Sequence, residues 1–170
     1  MRVVGLDQSY TGFGFSVDGD SKKRAFPTTR YKGPIPRLFA VERWLEEWLH
    51  LQVLPGVDLV VMEGYANGAK FGREMAGELG WAVKRTVFMT TGHAPLVVPP
   101  PSLKKFVTGK GNAKKNEMLL GVYKQWGVEF SDDNQADAFA LEKFGLAYLG
   151  EGTLTKYQQE AVAAVRKVAV

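Results

Sequence analysis

The first third of the chain is built from short apolar blocks separated by polar turns. Apolar or alternating runs at 1–6, 12–18 and about 24–31 are split by SYTG and by VDGDSKK, and DGD is a tight-turn sequence. This pattern predicts a three-stranded antiparallel meander. From Arg37 the period changes: Leu38, Val41, Leu45, Trp48 and Leu49 recur at helical spacing, with Glu and Arg residues between them. A nearly continuous apolar run at 57–63 then reads as a strand buried on both faces. A glycine-rich loop, GYANGAKFG, leads into a second helix over about 73–90, and APLVVP forms a further strand ended by three prolines.

The rest is helical. A short turn at Ser102–Val107 precedes a helix over about 113–126. Another helix begins near Ser131 or Asp132, either of which suits a cap, and carries Ala138, Leu141, Phe144, Leu146 and Leu149 on its apolar positions. A last amphipathic segment runs over about 155–168. Without an internal repeat or a long linker, residues 1–170 read as one domain. Three strands, helix, strand, helix, strand and then helices predict an α/β architecture. Its mixed five-stranded sheet has an antiparallel meander continued by parallel strands and is flanked by helices.

Four acids fall at telling places in this layout. Asp7 ends the first apolar run, where aspartate is disfavoured within a strand, and Glu63 ends the buried run at 57–63. Asp133 and Asp137 sit in the late helix, four residues apart and so on one face. Acids in a helix's first turn are favoured by the macrodipole whatever their role, which applies to Asp132 and Asp133 but less to Asp137. Carboxylates gathered in one place repel unless a cation or proton neutralises them, which points to a divalent metal.

Charge sharpens this reading. The net charge is +4, and the basic residues cluster. Lys22, Lys23, Arg24, Arg30, Lys32 and Arg37 occur between Ser21 and Arg37 without an acid. Lys104, Lys105, Lys110, Lys114, Lys115 and Lys124 are accompanied only by Glu117. Such tracts suit a polyanion. The chain has no cysteine, which excludes disulfides, zinc–thiolate sites and cysteine nucleophiles and is compatible with a reducing compartment. No segment approaches the roughly 20 apolar residues of a membrane span, and the first strand begins without a leader pattern; a cytoplasmic location is expected. His50 and His93 read as incidental. TGKGNAKK lacks the spacing and the Ser or Thr of a phosphate-binding loop, so no nucleotide cofactor is expected.

The motifs GLDQSYTGFG, VVMEGY, PPPSLKKFVTGKGNAKK and DNQADAFAL, in this order, resemble those of the RuvC-type Holliday junction resolvases, especially the short phage-type members, within the ribonuclease H-like fold. The resemblance extends to about Leu149. It implies a metal-dependent endonuclease that resolves four-way DNA junctions through paired symmetric nicks, with two Mg²⁺ ions per site (Mn²⁺ substituting) and a homodimer. It places Asp7, Glu63 and Asp137 on the metal-ligand acids and Lys104 and Lys115 near the scissile phosphate. Where many relatives have an acid or histidine three residues before the final Asp, this chain has Asn134, with Asp133 one residue further back; either is a candidate fourth ligand.

Lys105, Lys110, Lys114 and the backbone at Gly109 and Gly111 are candidate DNA contacts. Tyr65 and Phe71 are candidates for an aromatic that wedges into the junction. Met75, Leu79, Val83 and Val87 could form the dimer face, although such a stripe is more often simply core, and the C-terminal segment is a second candidate for that contact. A general branched-DNA, flap or hybrid nuclease and a non-catalytic junction-binding module are the alternatives.

Overall fold

Successive side chains of a strand point to opposite faces, and the first strand, β1 (Val3–Asp7), is buried along its whole length. Both faces of the sheet must therefore be covered. The computed structural model describes residues 1–53, 56–64 and 73–168. After β1 come β2 (Phe13–Val17), β3 (Asp20–Arg24), α1 (Pro34–Val53), β4 (Leu59–Glu63), α2 (Arg73–Thr91), β5 (Leu96–Val98), α3 (Pro100–Thr108), α4 (Lys115–Trp126), α5 (Asp133–Tyr148) and α6 (Lys156–Arg166). The sheet order is β3-β2-β1-β4-β5, with β1, β2 and β3 antiparallel neighbours and β4 and β5 parallel to β1. This is the mixed sheet the sequence predicts.

The two faces bury different helices. Val4, Leu6, Val60 and Met62 pack against Val41, Leu45 and Leu49 of α1 and Leu79, Val83 and Val87 of α2. Val3, Val61 and Val98 pack against α5, α3, α4 and α6 through Leu141, Phe144, Phe106, Val122 and Val162. Phe106 and Phe144 meet edge to face with centroids 5.0 Å apart. Truncating either ring to alanine costs about 3–5 kcal/mol.

Two boundaries differ from the sequence pattern. The third strand is the polar DSKKR stretch, not 24–31, because β3 is an edge strand and is mostly solvated. Asp18 and Gly19, both at positive φ (55° and 80°), form the two-residue turn into it. Phe26 instead leaves the sheet and plugs the α1 side of the core. The prolines at 99–101 start α3, a full helix rather than a turn, because its first turn needs no proline N–H. On α2, Leu79, Val83 and Val87 are core residues, and the exposed apolar side chains are Met75, Trp81, Phe88 and Met89.

Candidate active site

Strand alternation and register bring the first two acids together. Leu6 pairs with Met62, so Asp7 and Glu63 are the next residues on adjacent parallel strands, about 4.8 Å apart in the pairing direction. Both follow residues buried on the α1 side and therefore face α5. Gln8 extends the link, its Nε2 donating to the Glu63 carbonyl oxygen at 2.6 Å.

The other acids arrive on α5, which lies unusually close to the sheet. A Cβ on Gly5 would sit 2.1 Å from the Ala138 carbonyl oxygen, and one on Gly14 would sit 2.1 Å from that of Asn134. Only glycine permits this approach. Asp132 caps the helix, accepting from the Asn134 and Gln135 amides, and Lys23 of β3 donates to its carboxylate. Deeper in, the buried Glu142 carboxylate accepts from Ser16 Oγ at 2.5 Å and from the Gly19 amide, tying α5 to the β2–β3 turn. The positive end of α5 is thus directed at the ends of β1 and β4, with Asp133 and Asp137 on it.

A cleft of about 590 Å³ opens here, lined by Glu63, Asp133 and Asp137 together with Lys104, Lys114 and Lys115. Lys115 donates to Asp133. The Asn134 amide is turned away, bonding Asp132 Oδ1 at 3.2 Å and abutting Gly12. Lys105 pairs with Glu160 of α6 at 2.7 Å and Lys110 with Glu117 at 3.6 Å, and neither lines the cleft. The Gly109 amide closes α3 by donating to the Lys105 carbonyl, so this glycine, at φ 79°, serves as a helix cap rather than as a free donor. Tyr65 and Phe71 lie outside the described residues.

Burial and mutual repulsion leave these carboxylates poorly neutralised. Asp7 is pushed well above the usual carboxylate range by burial, then by Glu63, Asp137 and Asp133, with Lys115 opposing. Burial and the Asp137 carboxylate raise Glu63 to about 7, against the pull of Lys104. Burial and Asp133 raise Asp137 to about 6, against Lys115 and Lys104. Among the described residues the buried Asp137 Oδ1 has no hydrogen-bond partner.

Among the described residues no three acids or histidines are grouped closely enough to hold a metal ion as they stand. Hard oxygen donors, one of them orphaned and two sharing adjacent strand ends, fit a divalent cation such as Mg²⁺. They suit a thiolate-seeking metal poorly.

Two contributors escaped the sequence reading. Gln8 looks like an ordinary loop residue after Asp7, yet it spans the two strand ends. Glu142 occupies a polar position in a helical pattern, but β2 covers it. A clue to Glu142 was that the apolar run around it leaves no solvated face.

No family model matches the sequence, and no curated protein matches it. Solved structures do. A Thermus thermophilus RuvC structure superposes with a TM-score of 0.69 over 91% of this chain and 100% of its own, at 20% identity. The T. thermophilus RuvC in complex with a Holliday junction substrate gives 0.64 over 84% and 90%, at 21% identity. Element order, sheet topology and these superpositions agree: the chain has the ribonuclease H-like fold of RuvC.

Proposed function

We propose that the chain is a metal-dependent, structure-selective endonuclease that resolves four-way DNA junctions by paired symmetric nicks. The observation that carries this is the convergence of three carboxylates from separate elements, the buried Asp7 and the partly buried Glu63 and Asp137, at a cleft that Glu63 and Asp137 line and lysines rim. A phosphodiester brings negative charge to acids that already repel one another, so the cleft suits that substrate only with cations present. Asp7, Glu63, Asp137 and Asp133 would hold one or two Mg²⁺ or Mn²⁺ ions. Asp133 is favoured over Asn134 as the fourth ligand because its side chain lines the cleft. Bound there, the ions would supply charge neutralisation and an activated water.

The protein's own contributions are positional and electrostatic. Gln8 and the Gly5 and Gly14 contacts fix the separation of the acids. Lys115 restrains Asp133 and lies where it can approach a scissile phosphate, and Lys104 tempers the charge of Glu63 and Asp137. Lys114 adds to the positive rim. The fold likeness to a RuvC bound to a Holliday junction supports the choice of substrate.

A junction offers two equivalent strands, which a twofold homodimer would match. The exposed Trp81, Phe88 and Met89 of α2 (68%, 54% and 71% exposed) form the apolar patch proposed for that contact. Trp81→Arg should then yield a monomer in sedimentation.

The test of function presents labelled four-way junctions and matched duplex, flap and RNA–DNA hybrid substrates to wild type and Asp7→Asn, with Mg²⁺ or EDTA. Paired junction nicks lost in both controls are expected. Equal cutting of flaps or hybrids would favour a general nuclease of this fold, and tight binding without metal-dependent cutting would refute catalysis.

A further inference from the structure

The basic tract between Ser21 and Arg37 lies outside the acidic cleft, and its members divide by environment. Arg37 is structural: it is buried, donates to the Phe26 carbonyl and lies 4.5 Å from the Tyr10 ring centroid. Lys22 pairs with Asp20 at 2.6 Å and Lys23 with Asp132. Arg24 and Arg30 instead join Arg43 of α1 in a groove of about 450 Å³ with Tyr31 and Trp44, where Glu47 is the single acid among the described residues.

Strand register sets this groove across the β3 edge from the acids, on the opposite face of the sheet. Asp7 pairs with Gly14 and Gly14 with Lys23, so Asp7 and Lys23 share one row of the sheet two strand spacings, about 10 Å, apart. Lys23 reaches the α5 side, towards Asp132. Arg24, the next residue, points to the α1 side, into the groove. A strand leaving the cleft across the β3 edge therefore meets Lys23 first and then the arginines.

Lysines alone would be ordinary protection of a sheet edge. The arginines go further. Arg24 Cζ lies 5.5 Å from the Trp44 ring centroid and 5.7 Å from that of Phe26, and Arg30 Cζ lies 5.5 Å from that of Tyr31. A guanidinium held against an aromatic ring has restricted geometry, which lowers the entropy cost of gripping a phosphate. Glu47 competes only through an exposed bond to Arg43 at 3.1 Å, a weak type of pair.

We propose that Arg24, Arg30 and Arg43 form a second nucleic-acid site, which grips the phosphate backbone of the substrate where it leaves the cleft over the β3 edge. The proposal rests on the nuclease reading for its substrate, but its test requires no cleavage.

Binding of a labelled four-way junction and a labelled duplex is measured by anisotropy in EDTA over a salt series. The proteins are wild type, Arg24→Gln/Arg30→Gln, Arg24→Lys/Arg30→Lys, and a control that removes two charges elsewhere, Lys156→Gln/Lys167→Gln. Thermal melts check that each folds. The glutamine pair should weaken binding about tenfold and lower the slope of log K against log salt by about 0.9 per lost phosphate contact. The lysine pair should retain most of the slope, and the α6 control should match wild type.

An unchanged slope in the glutamine pair, or an equal drop in the α6 control, would overturn the proposal. Failure of wild type to cut DNA under Mg²⁺, with these binding results intact, would remove the catalytic reading and leave the groove standing.

Discussion

The Ala138 carbonyl oxygen lies 2.1 Å from where a Cβ on Gly5 would stand, so α5 rests directly on the backbone of β1. That contact sets the depth at which Asp137 meets Asp7. Gly5→Ala must push the helix outward, and because the opposing atom is backbone, no rotamer change relieves the clash. A loss of about 3 kcal/mol or more is expected, lowering Tm by roughly 6–12 °C. Thermal melts would check this, and an unchanged Tm would mean that α5 sits farther from the sheet.

Replacing Asp7 should separate function from stability. Its carboxylate is held neutral-leaning by burial and three neighbouring acids, so its ionised form burdens the metal-free fold. Asp7→Asn removes that burden while abolishing cleavage. At pH 8 without metal the variant should be more stable than wild type by roughly 0.5–2 kcal/mol, and at pH 4 the gain should vanish. Urea melts at the two pH values decide it; a loss at pH 8 would contradict the electrostatic account.

Much of this arrangement is written in local sequence pattern. β1 and β4 announce themselves because strands buried on both faces leave unbroken apolar runs, each closed by an acid, and α5 because Asp132 is a strong cap before an apolar helix. β3 did not, since an edge strand needs no apolar alternation and DSKKR has none. The α2 stripe of Leu79, Val83 and Val87 has the spacing of both an interface and a core. Only the sheet beneath it distinguishes the two, leaving Trp81, Phe88 and Met89 outside. Asp133 and Asn134 likewise share the right side of a helix, and their separation depends on Asn134 bonding Asp132, a detail of cap geometry.

Lys115 should matter to rate far more than to folding. Its side chain is 82% exposed and its pair with Asp133 is a surface one, so Lys115→Ala should change stability by less than about 1 kcal/mol. Loss of a cation beside the scissile phosphate should slow single-turnover cleavage by on the order of 10²-fold. Lys115→Arg should recover part of that rate. Equal losses in stability and rate would make the lysine a structural tie only.

Stability, pH and metal should be linked through Glu63 and Asp137. Both have folded pKa values above their ordinary ones, about 7 against 4.5 and about 6 against 3.8, so the folded state holds their protons more tightly than the unfolded chain. Their contribution is therefore present in full below about pH 4 and is lost as pH rises through 6 to 7. For Glu63 alone the loss is on the order of 3 kcal/mol. A divalent cation reverses this burden, but at pH 5 it must displace protons that are already gone at pH 8. The Tm increase on adding Mg²⁺ should thus be small at pH 5 and several degrees at pH 8, and it should shrink in Glu63→Gln at pH 8. An increase equal at both pH values would mean that the ion binds elsewhere, because a cation held by Glu63 and Asp137 competes with their protons.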